Sequence, residues 1–142
     1  MFKELKEQDL VFLQEWYKDQ EVLKRLGGTL PLNRWFRYVE QNHNYYAWIV
    51  YEEIIPVGQV ALELYPDCSA SVSILINPSY RNNGFGQKIL KALLQKTVLS
   101  TVQIIKVSIE IDNVASLQCF KKVGFIEEGV DSDGMIALSY TP

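Results

Sequence analysis

Apolar residues recur along this chain at two periods. Leu10, Leu13, Trp16 and Tyr17 return at the spacing of a helix face from Asp9 onward, and Leu23 and Leu26 continue it past Asp19-Gln20 until Gly27-Gly28 ends the run. A second helix is predicted from Pro31, with Thr29 as its cap and Trp35, Phe36 and Val39 on one face. The aromatic residues of these helices fit core packing, and they equally fit the wall of a pocket. Residues 2–5 read as a short edge strand.

The period then changes to two. Residues 45–51 are almost wholly apolar and Glu52-Glu53 supplies a turn. Over 57–65, Val60, Leu62 and Leu64 face one way while Gln59, Ala61 and Glu63 face the other; Pro66-Asp67 ends the strand and 70–76 begins the next. Such short connections predict an antiparallel meander. Ile89, Leu90, Leu93 and Leu94 mark a helix over 85–96. Ile105, Val107, Ile109 and Ile111 then alternate with Lys106, Ser108 and Glu110 on a strand over 104–111. Strand, helix and strand form one crossover, so those two strands are parallel. Residues 112–124 read as a capped helix ending at Gly124, and 125–130 with 135–140 as a hairpin around Asp131-Ser-Asp-Gly134.

The junction at 73–87 carries the chemistry. Asn77-Pro-Ser breaks the strand, and Arg81-Asn-Asn-Gly-Phe-Gly86 puts two glycines just before the helix. Helix-start amides have no internal partner, the dipole is positive there, and glycine lets a phosphate reach the backbone; a plain turn needing positive φ would use the same residues. A Rossmann fingerprint is excluded because position 89 is Ile, and no Gly-Lys-Ser/Thr exists for a P-loop.

Composition narrows the functional classes. With 142 residues, 48% hydrophobic and 22% charged, the chain reads as one globular domain over 1–142. A net charge of −3 argues against nucleic acid as a partner and suits amines. Cys68 and Cys119 lack metal or disulfide spacing and His43 is the one histidine, so no metal is expected and a His-dependent hydrolase is disfavoured. No signal-like or membrane-length apolar run is visible, which leads to the expectation of a cytoplasmic protein without membrane contact.

In position and order the Arg81-x-x-Gly84-x-Gly86 loop resembles the Arg/Gln-x-x-Gly-x-Gly/Ala loop of the GCN5-related N-acetyltransferase (GNAT) superfamily. Asn113-x-x-Ser116-x-x-x-Phe120, with Gly124-Phe125 behind it, is similar to that family's second motif. The details look closer to the branch with ribosomal-protein N-terminal and aminoglycoside acetyltransferases. The resemblance implies an α/β (α+β) fold: a mixed, mostly antiparallel sheet of six to seven strands, a central parallel pair splayed around acetyl-CoA, and helices on both faces. It implies that backbone groups of Ile74, Leu75 and Ile76 hold the pantetheine arm, and that amides of Asn82, Asn83, Gly84, Phe85, Gly86 and Gln87 hold the pyrophosphate with Arg81 nearby. Asn113, Ser116 and Phe120 would lie beside the cofactor, although Asn113 also reads as a helix cap. Many members carry Tyr where this chain has Phe120, and there the phenol protonates the departing thiolate. Phe cannot do so; a thiol pKa of roughly 8.5 makes an unprotonated leaving group tolerable.

The implied activity is acetyl-CoA-dependent acetylation of a primary amine by direct transfer, without a metal. The acceptor would be a small amine, an amino sugar or antibiotic, a polyamine, or a protein N-terminus. The proton needs a base, for which Glu63 is the first candidate, Glu110 the second and Asp67 the third; for Glu63 a solvated strand face is the competing reading. The alternative function is a non-catalytic acyl-CoA sensor, which Phe120 favours. A sheet edge beyond residue 135 is the expected surface for any homodimer.

Overall fold

The computed structural model describes residues 1–142. Its centre is a seven-stranded sheet in the order β1-β2-β3-β4-β5-β7-β6. The strands are β1 (Phe2–Glu4), β2 (Tyr45–Glu52), β3 (Ile55–Leu64), β4 (Ser69–Ile76), β5 (Ile104–Ile109), β6 (Ile126–Val130) and β7 (Ile136–Tyr140). Every neighbouring pair is antiparallel except β4 with β5. The mixed sheet and its single parallel pair agree with the sequence reading.

Five α-helices cover both faces: α1 (Leu10–Trp16), α2 (Gln20–Leu26), α3 (Leu32–Gln41), α4 (Phe85–Leu93) and α5 (Val114–Val123). Ile89, Leu90 and Leu93 of α4 and Leu117 and Phe120 of α5 pack on Val60, Leu62, Ile105, Val107 and Ile109. On the other face Leu13, Trp16, Tyr17, Val22, Leu32 and Phe36 from α1–α3 pack on Ala47, Ile49 and Leu75. Gln59 and Ala61, on the face toward those helices, are also buried, so both faces of β3 are interior there.

The structure corrects the sequence reading in several places. The first helical pattern is two helices, because Asp19 leaves helical geometry (ψ 135°) and its carboxylate accepts from the amides of Glu21 and Val22, starting α2 afresh. Thr29 does not cap α3. It lies inside a 3-10 turn, and the helix begins after Pro31 with no side-chain cap. β5 stops at Ile109, leaving Ile111 58% exposed instead of in the core. The strand beyond residue 135 is no edge: β7 lies between β5 and β6, and the edge is β6. A hairpin pattern states that two strands are adjacent, not which one meets the rest of the sheet.

Candidate active site

β4 and β5 pair at only three positions, Ser69 with Ile104, Ala70 with Ile105 and Ser71 with Lys106. Beyond them β4 stays paired to β3 as far as Ile76, and β5 stays paired to β7 as far as Ile109. The parallel strands therefore diverge while each keeps its outer partner. A wedge opens in mid-sheet.

The inner edge of that wedge is unpaired backbone. Asn77 N donates to Val57 O and Ser69 O accepts from Tyr65 N, so odd-numbered residues of β4 bond to β3. Val72, Ile74 and Ile76 consequently turn their N–H and C=O toward the gap. Of the three residues nominated for the pantetheine arm, Leu75 has its backbone committed to β3, while Val72, which was not nominated, faces the gap. Alternation along a strand could have found this, had the outer partner been known.

The wedge is the floor of a cleft of about 560 Å³, closed on its sides by α2, the glycine loop and α5. Gly84 caps α4 in the left-handed region, φ +77°, with no side-chain cap, and Asn82 is also left-handed at φ +63°. The first bond of α4 runs from Lys88 N to Gly84 O at 3.2 Å, and the amides of Phe85, Gly86 and Gln87 have no protein partner. Three free donors at the positive end of a helix form a cradle for an anion. An added Cβ at Gly84 would meet open space, whereas at Gly86 it would come within 3.1 Å of Cys119 Sγ, so Gly86 is where α4 and α5 touch.

Other nominated residues divide. Asn82, Gly84, Phe85, Gly86, Gln87, Arg81, Asn113, Ser116 and Phe120 all border the cleft, as do Ile74, Leu75 and Ile76. Asn83 does not; its amide braces the loop by donating to the carbonyls of Tyr80 and Arg81 at 3.1 and 2.9 Å. Arg81 is tied down, with Nη2 donating to Asp19 Oδ1 at 2.6 Å and Nη1 to Oδ2 at 3.2 Å. Those donors hold the Asp19 carboxyl below its ordinary pKa. Asn113 does cap α5, accepting from Ser116 N at 3.4 Å. Phe120 is buried, its ring edge-on to Phe125 at 4.9 Å.

The carboxylates nominated as base separate clearly. Glu110 borders the cleft, where Arg25 Nη1 donates to it at 3.3 Å. The same guanidinium donates to Glu21 and Asp112, each at 2.8 Å, and the Asp112 bond above all raises its pKa. Glu63 lies outside the cleft, in a smaller hollow on the α3 side of the sheet, where Tyr38 Oη donates to it at 2.8 Å. Asp67 lines neither cavity; it closes the β3–β4 turn by accepting from the Ser69 hydroxyl at 2.6 Å.

Sequence reasoning also missed Glu21, Arg25, Tyr80 and Cys119 as cleft residues. Cys119 was legible, since it follows Ser116 by three on one helix. Burial raises its thiol pKa. Nothing local announced that α2 would lie over the wedge. No helix is long and apolar enough to cross a membrane.

Comparison with known proteins supplies the family. Residues 1–126 match the model of the acetyltransferase (GNAT) domain. An uncharacterized N-acetyltransferase, YfmK of Bacillus subtilis (strain 168), is 30% identical over 139 residues, spanning 96% of this chain and 93% of that protein. Among solved structures, AAC(6')-Ib in complex with parmomycin and acetyl-CoA superposes with a TM-score of 0.84 at 20% identity, over 99% of this chain and 92% of that one. A spermidine N-acetyltransferase SpeG chimera from Vibrio cholerae and hSSAT gives a TM-score of 0.77 at 17% identity, over 98% and 92%. These low identities speak to the fold, and the domain model speaks to descent: the chain belongs to the GNAT acetyltransferase family.

Proposed function

We propose that this protein is an acetyl-CoA-dependent N-acetyltransferase that passes the acetyl group directly to a primary amine while both substrates are bound. The observation that carries the reading is the wedge beyond Ser71 and Lys106 with three partnerless amides, Phe85, Gly86 and Gln87, at its mouth. A thioester-linked pantetheine pyrophosphate fits both halves of that arrangement. Its arm adds to the free edge of β4 at Val72, Ile74 and Ile76 as a strand would, and its phosphates take the loop amides. Acetyl-CoA supplies the activated acyl group.

The chain's own residues do the rest. A β4 amide facing the wedge polarises the thioester carbonyl. Asn113 caps α5 and so fixes Ser116 and Phe120 against the cofactor channel. Glu63, in the adjoining hollow, accepts one proton through water from the acceptor's ammonium group, leaving a neutral amine. As nitrogen bonds to the carbonyl carbon and the carbon–sulfur bond breaks, the surplus N–H proton passes to the thiolate, and the proton held by Glu63 returns to solvent. Glu110 is the second candidate, already engaged by Arg25. The relatives that act on an aminoglycoside or spermidine support cationic acceptors, and the net charge of −3 suits them.

One observation favours a second reading: Phe120 offers no proton at the position where many relatives have a phenol, as an acyl-CoA sensor without chemistry would. Release of free thiol from acetyl-CoA in the presence of amines separates the two. Amine-dependent release with loss of activity in Glu63→Gln supports the transferase and its base; binding without release supports the sensor.

A further inference from the structure

The charged residues that border the cleft are not equivalent. They are Glu21, Arg25, Arg81, Glu110 and Lys122. Arg25 is committed to Glu21, Glu110 and Asp112, and Arg81 to Asp19. Lys122 takes part in none of the eight ion pairs of the molecule, so it is the one cation of the cleft wall without a carboxylate partner. Its neighbour Lys121 shares the last turn of α5, where positive charge complements the helix dipole, but it does not border the cleft and pairs with Glu127 at 2.6 Å.

The position of Lys122 matters as much as its charge. Ser116, Cys119 and Lys122 recur every three residues on one face of α5, and all of them border the cleft. Cys119 marks where that face meets the anion cradle, since its Sγ lies 3.1 Å from a Cβ placed on Gly86. Lys122 comes roughly 4.5 Å farther along the helix axis. Burial raises the Cys119 thiol pKa and the Lys122 charge opposes that rise, which sets the ammonium near the thiol. The residue is exposed, so a flexible stem presents a point charge that settles on a phosphate without a fixed geometry.

Coenzyme A, with its pyrophosphate on the amides of Phe85, Gly86 and Gln87, brings a second anion to this neighbourhood: the phosphate carried by its ribose, one sugar away. On the α4 side Lys88 donates to both carboxylate oxygens of Glu52 and lies outside the cleft. We infer that Lys122 receives the ribose phosphate and is the residue by which this protein prefers coenzyme A to dephospho-coenzyme A. The inference rests on the acetyl-CoA reading and adds a specificity residue to it. Loop amides hold a pyrophosphate whatever sugar follows it, whereas a side chain placed past them reads the rest of the molecule.

The test is calorimetric titration of coenzyme A and of dephospho-coenzyme A into wild type, Lys122→Met and Lys121→Met at low ionic strength, with circular dichroism to check that each variant is folded. Wild type should bind coenzyme A about fivefold or more tighter than the dephospho ligand, the scale of one well-placed but exposed charge pair, and added salt should shrink the preference. Lys122→Met should bring the two ligands within twofold by weakening coenzyme A alone. Lys121→Met, the same charge change one residue away, should keep the wild-type preference. Equal binding of both ligands by wild type, an undiminished preference in Lys122→Met, or an equal loss in Lys121→Met overturns the inference. Failure of the acetyl-CoA reading beneath it shows separately, as binding of neither ligand at millimolar concentration.

Discussion

Ser71 and Lys106 are the last residues that pair between the two parallel strands, and every candidate binding feature lies beyond them or beside them. The cleft occupies the space where a continued ladder would have been. Four expectations follow the physical consequences of that opening outward through the molecule.

Gly86 is a close-approach site. In wild type, Gly86→Ala sets a gain of up to about 1 kcal/mol in helix propensity against a Cβ crowding Cys119 Sγ at 3.1 Å. In a Cys119→Ala background only the gain remains. Denaturant unfolding of the four proteins should therefore give a coupling of at least about 0.5 kcal/mol, with Gly86→Ala more favourable when Cys119 is absent. Strict additivity would mean that α4 and α5 do not touch there.

Asp19 ties α2 to the glycine loop through Arg81. Asp19→Asn keeps a side-chain cap for α2 and loses the charge, with an expected cost of about 0.2–1 kcal/mol near pH 7. The folded-state pKa is depressed, so the unfolded chain binds the proton more readily and this contribution grows with pH. It is present above the ordinary carboxylate pKa of about 3.9 and is lost as pH falls through the depressed folded value. Urea melts of both proteins should begin to draw together below about pH 3.9 and meet only once pH has fallen through the depressed folded value; a gap that persists below that value would assign it to something other than the ion pair.

Phe120→Tyr places a phenol beside the cleft. Because a thiolate of pKa roughly 8.5 leaves readily without help, kcat with an aliphatic amine should rise by less than about tenfold, with KM for acetyl-CoA unchanged. A large fall in kcat, with the fold intact by circular dichroism, would show that Phe120 matters for its packing on Phe125 alone.

Which of these features could be read in the sequence follows from how local each one is. Asn77-Pro-Ser, the paired glycines and the Asn113 cap act within a few residues of themselves, so the strand–loop–helix junction and the second motif were visible at once. The ion pair between Asp19 and Arg81 joins residues 62 apart, and the shelter of Glu63 by Tyr38 joins α3 to β3. No spacing rule reaches either. The order of the last two strands was hidden because hairpin signals are symmetric in their two members, and the end of β5 was hidden because Ile111 keeps the alternation after the backbone has left the sheet.

The central claim is that the glycine loop and the wedge hold acetyl-CoA, and it is tested most directly by thermal unfolding of wild type and Gly84→Glu with and without acetyl-CoA. The new side chain would stand in open space at the helix cap, with its charge where the pyrophosphate belongs. Wild type should gain roughly 2.7 kcal/mol at a hundredfold excess of ligand over its dissociation constant, while the folded variant gains little. Equal stabilisation of both proteins, or none in wild type at millimolar acetyl-CoA, would contradict it.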